Sequence, residues 1–260
     1  MLEVKNLNVS YLGAAGFVDA LINVSFDVEQ GQILGIVGES GSGKSTFAYS
    51  VLGLLPQDSK KQGKILFKDK DIFSLNDKEL ESLRGNQIGL VFQEPASTFN
   101  PVLSIEYQFR ELLQVKLKLK NKAKIKDIIY DSFKKVRLPE SERILKSYPH
   151  QLSGGQLQRV CIAMAIALKP AILIADEPTS SLDVTIESQI IHLFKELRDS
   201  LGLTIVFITH NLDLVKVLCE KVVVLYQAKV REITNAQDLF IFPQDEYTKQ
   251  LLSSFKDLEE

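Results

Sequence analysis

The sequence has little cysteine, no long apolar run and almost no net charge, and each shortage excludes a class of protein. Its 260 residues include two cysteines, too few for a disulfide framework or a four-cysteine cluster. The longest uninterrupted apolar run, Val160 to Leu168, is far shorter than a membrane-spanning helix. A formal net charge of −2 gives no general basic field, so nucleic acid is not expected as a partner. These shortages favour a protein of a reducing, cytosolic environment.

What is present is ordinary for a folded protein. The chain is 45% hydrophobic and 25% charged, which argues against wholesale disorder. This length corresponds to one large domain or two small ones. Glu3, Lys5 and Asn6 interrupt the first apolar stretch, so no signal peptide is expected there.

Hydrophobic patterning predicts a mixed α/β fold. The first thirty residues alternate like strands, and Ile33–Val37 is a short apolar run that suits a strand buried on both faces of a parallel sheet. Helical spacing is predicted between Glu94 and about Pro170. Further strands are predicted at 63–67, 88–92, 172–175, 204–208 and 222–225, and further helices at 46–55, 76–83, 184–201 and 211–218.

A glycine-rich segment follows the strand at 33–37. It reads Gly-Glu-Ser-Gly-Ser-Gly-Lys-Ser and matches the phosphate-binding loop at every required position. Lys44 is expected to reach the β- and γ-phosphates, and the Ser45 hydroxyl to bind Mg²⁺. The alternative is a glycine-rich turn without a ligand. The residues predicted to bind the phosphates are Gly38, Ser40, Gly41, Ser42, Gly43, Lys44, Ser45 and Thr46.

Two carboxylates end the apolar strand at 172–175. Asp176 is expected to hold Mg²⁺ through water, and Glu177 to orient and polarise an attacking water molecule. Many strands end in acidic residues, so this signal is weak by itself. Together with the phosphate-binding loop, it indicates hydrolysis of a nucleoside triphosphate.

Two further elements point to a second phosphate contact. Ser153, Gly154 and Gly155, followed by Gln156, open a helix and can present a hydroxyl and bare amides to an anion. Two such sites in one chain would be redundant unless both hold one nucleotide from opposite sides. His210 follows the strand at 204–209, where its ring can reach a γ-phosphate; the alternative is a surface turn.

This combination resembles the ATPase subunits of ABC transporters over essentially the whole chain. The resemblance implies ATP and Mg²⁺ as cofactors and assigns roles residue by residue. Tyr11 resembles the aromatic that stacks on adenine, and Gln93 the glutamine that senses Mg²⁺ and contacts the membrane subunits. The segment 153–156 resembles the signature that binds ATP held by the opposite subunit. Asp183 resembles the acid of the loop that links the two sites, and His210 the switch histidine.

The resemblance also implies an architecture. A P-loop NTPase core carries an N-terminal antiparallel β subdomain and an inserted α-helical subdomain. The expected bounds are one domain at 1–255, made of a core with β subdomain at 1–93 and 171–235, a helical subdomain at about 94–170, and a C-terminal helical tail at 236–260.

Flanking motifs resemble the dipeptide, oligopeptide and nickel importer group. They are Gln93-Glu94-Pro95, Phe99-Asn100-Pro101, Phe242-Pro243 and Tyr247 to Leu252. The group implies an identical or sister cassette, two integral-membrane permease subunits, an extracytoplasmic substrate-binding protein, and a place at the cytoplasmic face of the inner membrane. Phe99 is expected to be an exposed aromatic that packs on a permease helix. Two departures are Gln227-Ala228-Lys229, where a glycine-containing turn is usual, and Leu157, often a basic position.

Several alternatives remain. A non-transport ABC ATPase acting on ribosomes or DNA usually has two cassettes or a long coiled-coil insert, and neither is present. A GTP-specific switch would carry Asn-Lys-x-Asp, which does not occur. The cargo is open between peptides, which are favoured, and nickel. The lysine-rich stretch 116–126 is expected to be a solvated face rather than a site for anionic lipid, although its period of two conflicts with a helix.

Overall fold

The structure is a computed structural model that describes residues 1–256. Within these residues the strands are β1 (Leu2–Gly13), β2 (Gly16–Val28), β3 (Ile33–Val37), β4 (Lys60–Phe67), β5 (Lys70–Asp71), β6 (Ile88–Val91), β7 (Ile172–Asp176), β8 (Thr204–Thr209), β9 (Lys221–Tyr226) and β10 (Lys229–Asn235). The α-helices are α1 (Lys44–Val51), α2 (Asp77–Leu83), α3 (Pro95–Thr98), α4 (Ile105–Leu117), α5 (Lys122–Lys135), α6 (Ser141–Lys146), α7 (Gly154–Ala167), α8 (Val184–Leu201), α9 (Leu212–Leu218), α10 (Ala236–Ile241) and α11 (Glu246–Lys256).

The described residues divide into two compact units. Residues 1–81 form the first together with those from 204 onward, and residues 82–203 form the second. The helical subdomain expected at about 94–170 lies inside the second unit, and its finer bounds stay a prediction. The last four residues of the expected tail, 257–260, lie outside the described residues.

The first unit contains the antiparallel sheet that the opening alternation predicted. Its strand order is β2-β1-β4-β5, and Val4 pairs with Phe26 on one side and with Ile65 on the other. The register of β1 shifts near Asn6, and Asn6 and Asn23 both have positive φ, a conformation that asparagine tolerates. The buried face of this sheet is apolar and includes Phe26 and Phe67, which is typical of an antiparallel sheet that covers a core on one side.

The first unit also contains the strands that lead to the phosphate-binding loop. All five residues of β3 are buried, and β3 pairs in parallel with β8 and with β9. The prediction of a parallel strand buried on both faces is therefore confirmed. In the turn between β9 and β10, Gln227 and Ala228 have φ values of 46° and 65°, so this hairpin forms without the usual glycine.

The second unit places a parallel pair of strands beside helices. Val91 at the end of β6 pairs with Ala175 in β7. Phe109 of α4 and Phe133 of α5 pack with ring centroids 5.9 Å apart, both fully buried. The run from Val160 to Leu168 lies mostly in α7 and contributes buried residues to this core. Among the residues that the structure describes, none of the helices has the length and apolarity needed to cross a bilayer.

The lysine-rich stretch is divided between two helices, which explains its unusual period. Lys116 lies in the last turn of α4, and Lys118 ends that helix in a left-handed conformation. Asn121 then caps α5 by accepting hydrogen bonds from the backbone amides of Ala123 and Lys124. The alternation therefore spans a helix end, a loop and a new helix, and it does not describe one continuous element.

Candidate functional site

The phosphate-binding loop lies between β3 and α1 and depends on glycine at two positions. Gly38 and Gly43 have φ values of 152° and 107°. A Cβ atom at Gly38 would lie 2.1 Å from the Leu225 carbonyl oxygen, and one at Gly43 would lie 2.4 Å from the Ala20 carbonyl oxygen. Any side chain would therefore displace backbone on either side of the loop. This is the strand–loop–helix context that the motif requires.

Lys44 is the only lysine of the described residues that is buried, with 6% of its surface exposed. Its ammonium group donates hydrogen bonds to the carbonyl oxygens of Gly38, at 2.7 Å, and Glu39, at 2.9 Å. Ser45 is exposed in the first turn of α1, and Ser42 is buried within the loop. The loop therefore wraps around its own cation, which can turn to a phosphate.

Tyr11 and His210 belong to the same unit as the loop. The Tyr11 hydroxyl donates a hydrogen bond to Thr46 Oγ1 over 3.2 Å, which places the ring beside the start of α1. His210 directly follows Thr209, and Thr209 pairs with Val37, the residue before Gly38. The loop and the histidine therefore leave neighbouring parallel strands at the same edge of the sheet.

The second unit holds a separate polar cluster at the carboxyl ends of β6 and β7. Asp176 is 6% exposed at the end of β7. Glu177 has a φ of 45°, a conformation uncommon for glutamate. Gln93 Nε2 donates a hydrogen bond to Glu177 Oε2 over 3.0 Å. The two residues assigned to the attacking water and to Mg²⁺ sensing are therefore in direct contact.

The signature segment begins α7 and is shaped by capping. Ser153 Oγ accepts from the Gln156 amide at 3.3 Å, and Gln156 Oε1 accepts from the Ser153 amide at 3.2 Å, a complete capping box. A Cβ atom at Gly155 would lie 2.7 Å from Ile186 Cγ2, so α8 packs closely against this turn. The capping box is therefore sufficient to explain why Ser153 and Gln156 occupy these positions. Their contact with a phosphate stays a prediction.

Asp183 and Leu157 also have structural explanations. Asp183 is the N-cap of α8, and its Oδ1 accepts a hydrogen bond from the Ile186 amide at 2.9 Å. Leu157, at a position often basic in the family, is buried within α7. A basic side chain there would have to leave the packed face of the helix.

The prediction that Phe99 is exposed is wrong. Phe99 is 7% exposed because α3 packs against α7 and the chain after it turns the ring inward. The ring lines a groove of about 250 Å³ in the second unit. Phe92, 39% exposed, and Val102, 75% exposed, are the exposed apolar residues of this neighbourhood. The groove is lined by Gly85, Gly89, Leu90, Val91, Phe92, Thr98, Phe99, Gln108, Leu112, Cys161, Met164, Ala165 and Leu168.

Both cysteines belong to packed surroundings. Burial raises the pKa of the Cys161 thiol to about 12, and its sulfur lies 3.5 Å from Thr98 Oγ1. Burial also raises the pKa of Cys219, with a smaller contribution from the charge of Glu220. Thiolate is therefore a minor species at neutral pH for either residue, so neither is a nucleophile there.

Sequence reasoning gave no role to Glu39, the second residue of the loop, or to Tyr247. Tyr247, at the start of α11, stacks on Tyr226 with ring centroids 3.8 Å apart. Tyr226 follows Leu225, whose carbonyl contacts Gly38. The motif from Tyr247 to Leu252 was the available signal, but a motif alone does not reveal which residue its side chains face.

Known proteins are similar in sequence to this protein over its whole length. A family model described as ABC transporter matches residues 21–180. The dipeptide transport ATP-binding protein of Bacillus subtilis (strain 168) is 44% identical over 261 residues, covering 100% of this chain and 78% of that protein. The oligopeptide transport ATP-binding protein of the same organism is 40% identical over 261 residues, covering 100% and 73%.

Solved structures agree with the fold. The dimeric structure of a bacterial ABC transporter cassette matches with a TM-score of 0.81 and 31% identity, covering 91% of this chain and 99% of that one. The same cassette in a post-hydrolysis state with ADP and phosphate matches with a TM-score of 0.80 and 30% identity, over the same shares. The expected P-loop fold with an antiparallel β subdomain is confirmed. The chain therefore belongs to the ABC transporter family and is one of its ATP-hydrolysing subunits.

Proposed function

We propose that this ATPase drives the import of peptides and that it uses the two polar clusters described above on the same substrate, Mg²⁺-ATP. The observation that carries the peptide assignment is the similarity, over the full chain, to a dipeptide and an oligopeptide transport ATP-binding protein. The alternative of a non-transport ATPase acting on ribosomes or DNA has no support among these relatives.

The phosphate-binding loop holds the β- and γ-phosphates. Lys44 exchanges its contacts with the Gly38 and Glu39 carbonyls for phosphate oxygens, and the amides from Ser40 to Thr46 surround the same anion. The positive end of the α1 dipole adds to this attraction. The narrow space around Gly38 and Gly43 excludes a side chain at either position, so the backbone of the loop can approach the phosphates closely.

Mg²⁺ is the cation that suits the proposed donor set. The Ser45 hydroxyl and the Gln93 amide oxygen would supply hard oxygen ligands of the kind that Mg²⁺ prefers, and the Asp176 carboxylate would bind a water molecule of the ion. The ion, when bound, neutralises the charge of the phosphates. Asp176 acts through water, and its burial keeps the carboxylate away from bulk solvent.

Glu177 orients and polarises the attacking water. The hydrogen bond from Gln93 holds one oxygen of its carboxylate, and the positive φ of Glu177 turns the chain sharply at the end of β7. A movement of the segment after β6, which faces the permeases in this proposal, would therefore reach Glu177 through its hydrogen bond with Gln93. His210 contacts the γ-phosphate and completes the set.

A second cassette supplies the remaining contacts. The signature segment contacts the ATP held by the partner through Ser153, Gly154, Gly155 and Gln156. Asp183 belongs to the loop that links the two ATP sites. The dimeric form of the matched bacterial cassette supports this arrangement. Two permease subunits and an extracytoplasmic substrate-binding protein complete the importer, and the subunit works at the cytoplasmic face of the inner membrane.

Tyr11→Ala is expected to raise the KM for ATP about three- to tenfold, with a smaller effect on kcat, because adenine loses its stacking surface. Tyr11→Phe keeps the ring and removes only the hydroxyl that bonds to Thr46, so its KM should stay near that of the parent. The matched control is Tyr107→Ala, which removes an exposed ring from α4. An unchanged KM in Tyr11→Ala would place adenine elsewhere. Selectivity for ATP over GTP should be modest in the parent, since stacking does not read base edges.

The apolar groove of the second unit is the proposed dock for a permease. Leu112→Glu would bury a charge in the groove and is expected to weaken binding to the permeases by more than about tenfold. Val115→Glu places the same charge on α4 at a residue that is 60% exposed and does not line the groove. Copurification with tagged permeases measures both, and ATP binding by each variant checks its folding. Equal recovery of both variants would exclude this groove as the dock.

Uptake after gene deletion tests the cargo. The expected result is that the deletion strain loses uptake of labelled di- or oligopeptides and keeps normal ⁶³Ni²⁺ uptake. Reintroduction of the intact gene should restore the peptide uptake. Loss of nickel uptake alone would assign the cargo to nickel. If a sugar or an amino acid is lost while both of these persist, the importer group is wrong even though the ATPase assignment stands.

A further inference from the structure

The start of α11 packs on the end of β9, the strand that closes against the phosphate-binding loop, and the mechanism above does not use this contact. Tyr247 is the second residue of that helix, and its ring stacks almost parallel on Tyr226, with an interplanar angle of 16°. Tyr226 ends β9 directly after Leu225, whose carbonyl oxygen approaches Gly38 too closely to admit a Cβ atom there. The stacked pair therefore begins one residue after the backbone position that closes against Gly38.

The Tyr247 hydroxyl is buried beside Glu39. Tyr247 is 9% exposed, and its hydroxyl has no hydrogen-bond partner of normal geometry among the described residues. Burial raises the pKa of this hydroxyl, and the negative charge of Glu39 raises it further, so the proton stays on at neutral pH. A buried donor next to a loop carboxylate needs an explanation, since most buried polar groups in proteins are paired.

The first turn of α11 is held firmly. Asp245 Oδ1 accepts hydrogen bonds from the amides of Tyr247, at 2.9 Å, and Thr248, at 3.4 Å. The Glu232 carboxylate on β10 accepts from the amides of Gln244, at 3.0 Å, and Asp245, at 3.1 Å. Tyr247 is therefore fixed to the strand beside β9, and it can act as a rigid support.

Glu39 connects this support to the catalytic lysine. The backbone carbonyl of Glu39 accepts one of the two hydrogen bonds that the Lys44 ammonium donates to the loop. The orientation of the Glu39 peptide unit therefore decides where that ammonium group lies. A residue that holds Glu39 in place also sets the position of Lys44.

We propose that Tyr247 is a positioning residue of the phosphate-binding loop: it holds Glu39, and through the Glu39 carbonyl the Lys44 ammonium, in the arrangement that receives a nucleotide phosphate. This rests on the proposed binding of ATP by the loop. The donor is the Tyr247 hydroxyl, which has no other acceptor among the described residues, and the acceptor is the Glu39 carboxylate. ATP binding should then depend on a side chain that never touches the nucleotide.

Tyr247→Phe tests the hydroxyl while it keeps the stacked rings. The dissociation constant and the KM for ATP are expected to rise about three- to tenfold, the range for one net hydrogen bond, with kcat within twofold of the parent. Tyr226→Phe is the matched control, because it removes the other hydroxyl of the same pair, which accepts from Gln227. That variant should bind ATP like the parent, whereas a general loss of packing would affect both variants alike.

A double-mutant cycle with Glu39→Gln tests whether the effect passes through Glu39. Glu39 is exposed, so Glu39→Gln does not threaten folding. The Tyr247→Phe effect should shrink in the Glu39→Gln background. Unchanged ATP affinity in Tyr247→Phe, equal losses in both phenylalanine variants, or strictly additive effects would each overturn the inference. If the parent itself binds no ATP, the proposed function fails. If the parent binds ATP and Tyr247→Phe binds it with the same affinity, this inference alone fails.

Discussion

Glu177→Gln is expected to bind ATP like the parent but to hydrolyse it about 10²–10⁴-fold more slowly. The amide preserves the shape of the side chain and can still pair with Gln93, but it cannot polarise a water molecule. ATP should then hold two cassettes together, so the variant should elute as a dimer when ATP is present. Phosphate release and gel filtration with ATP measure the two effects.

The control for this change is Glu111→Gln, the same chemical change on the exposed surface of α4. It should leave both turnover and the elution volume unaffected. Turnover of Glu177→Gln within a few-fold of the parent would mean that Glu177 does not act on water. Loss of ATP binding together with turnover would instead indicate a structural defect around the left-handed backbone of Glu177.

The second large effect concerns the signature segment. Lys44→Ala and Ser153→Arg should each be inactive alone, because one removes the phosphate-binding cation and the other blocks the proposed contact with the partner's ATP. Mixing the two variants should restore activity, since a mixed dimer contains one site with an intact Lys44 and an intact Ser153. Titration of one variant with the other, followed by phosphate release, measures this recovery.

Ser153→Arg also removes the N-cap of α7, which costs about 1 kcal/mol. Ser104→Arg is the matched control, because Ser104 caps α4 through the Tyr107 amide in the same way. Ser104→Arg should lose similar stability and keep its turnover. If the mixture of Lys44→Ala and Ser153→Arg stays inactive while each variant is folded, the signature does not act across a dimer.

Local patterns predicted much of the fold because the relevant physics is local. The short apolar run of β3 was sufficient to predict a doubly buried parallel strand, and all of its residues are buried. The helix expected at 76–83 forms as α2, and Asn76 and Glu79 at its start exchange hydrogen bonds at 2.9 and 3.1 Å. The glycines of the phosphate-binding loop likewise have the backbone conformations that the motif requires.

Contacts between distant parts of the chain could not be predicted in this way. Gln93 and Glu177 received separate roles from the sequence, but their hydrogen bond joins residues 84 positions apart. Phe99 was expected to be exposed because the family resemblance places its segment at the permease dock, yet packing of α3 against α7 turns it inward. The stacking of Tyr247 on Tyr226 depends on where α11 lies, which no local pattern specifies.

Phosphate release as a function of subunit concentration tests the central claim most directly, namely that Lys44 and the signature of a second cassette act on one Mg²⁺-ATP. Purified parent is assayed with Mg²⁺-ATP over a wide range of concentrations, beside Lys44→Ala. The account predicts that the rate per subunit rises with concentration until dimers form and that Lys44→Ala shows none of this activity. A rate per subunit that stays constant at every concentration, or an undiminished rate in Lys44→Ala, would contradict it.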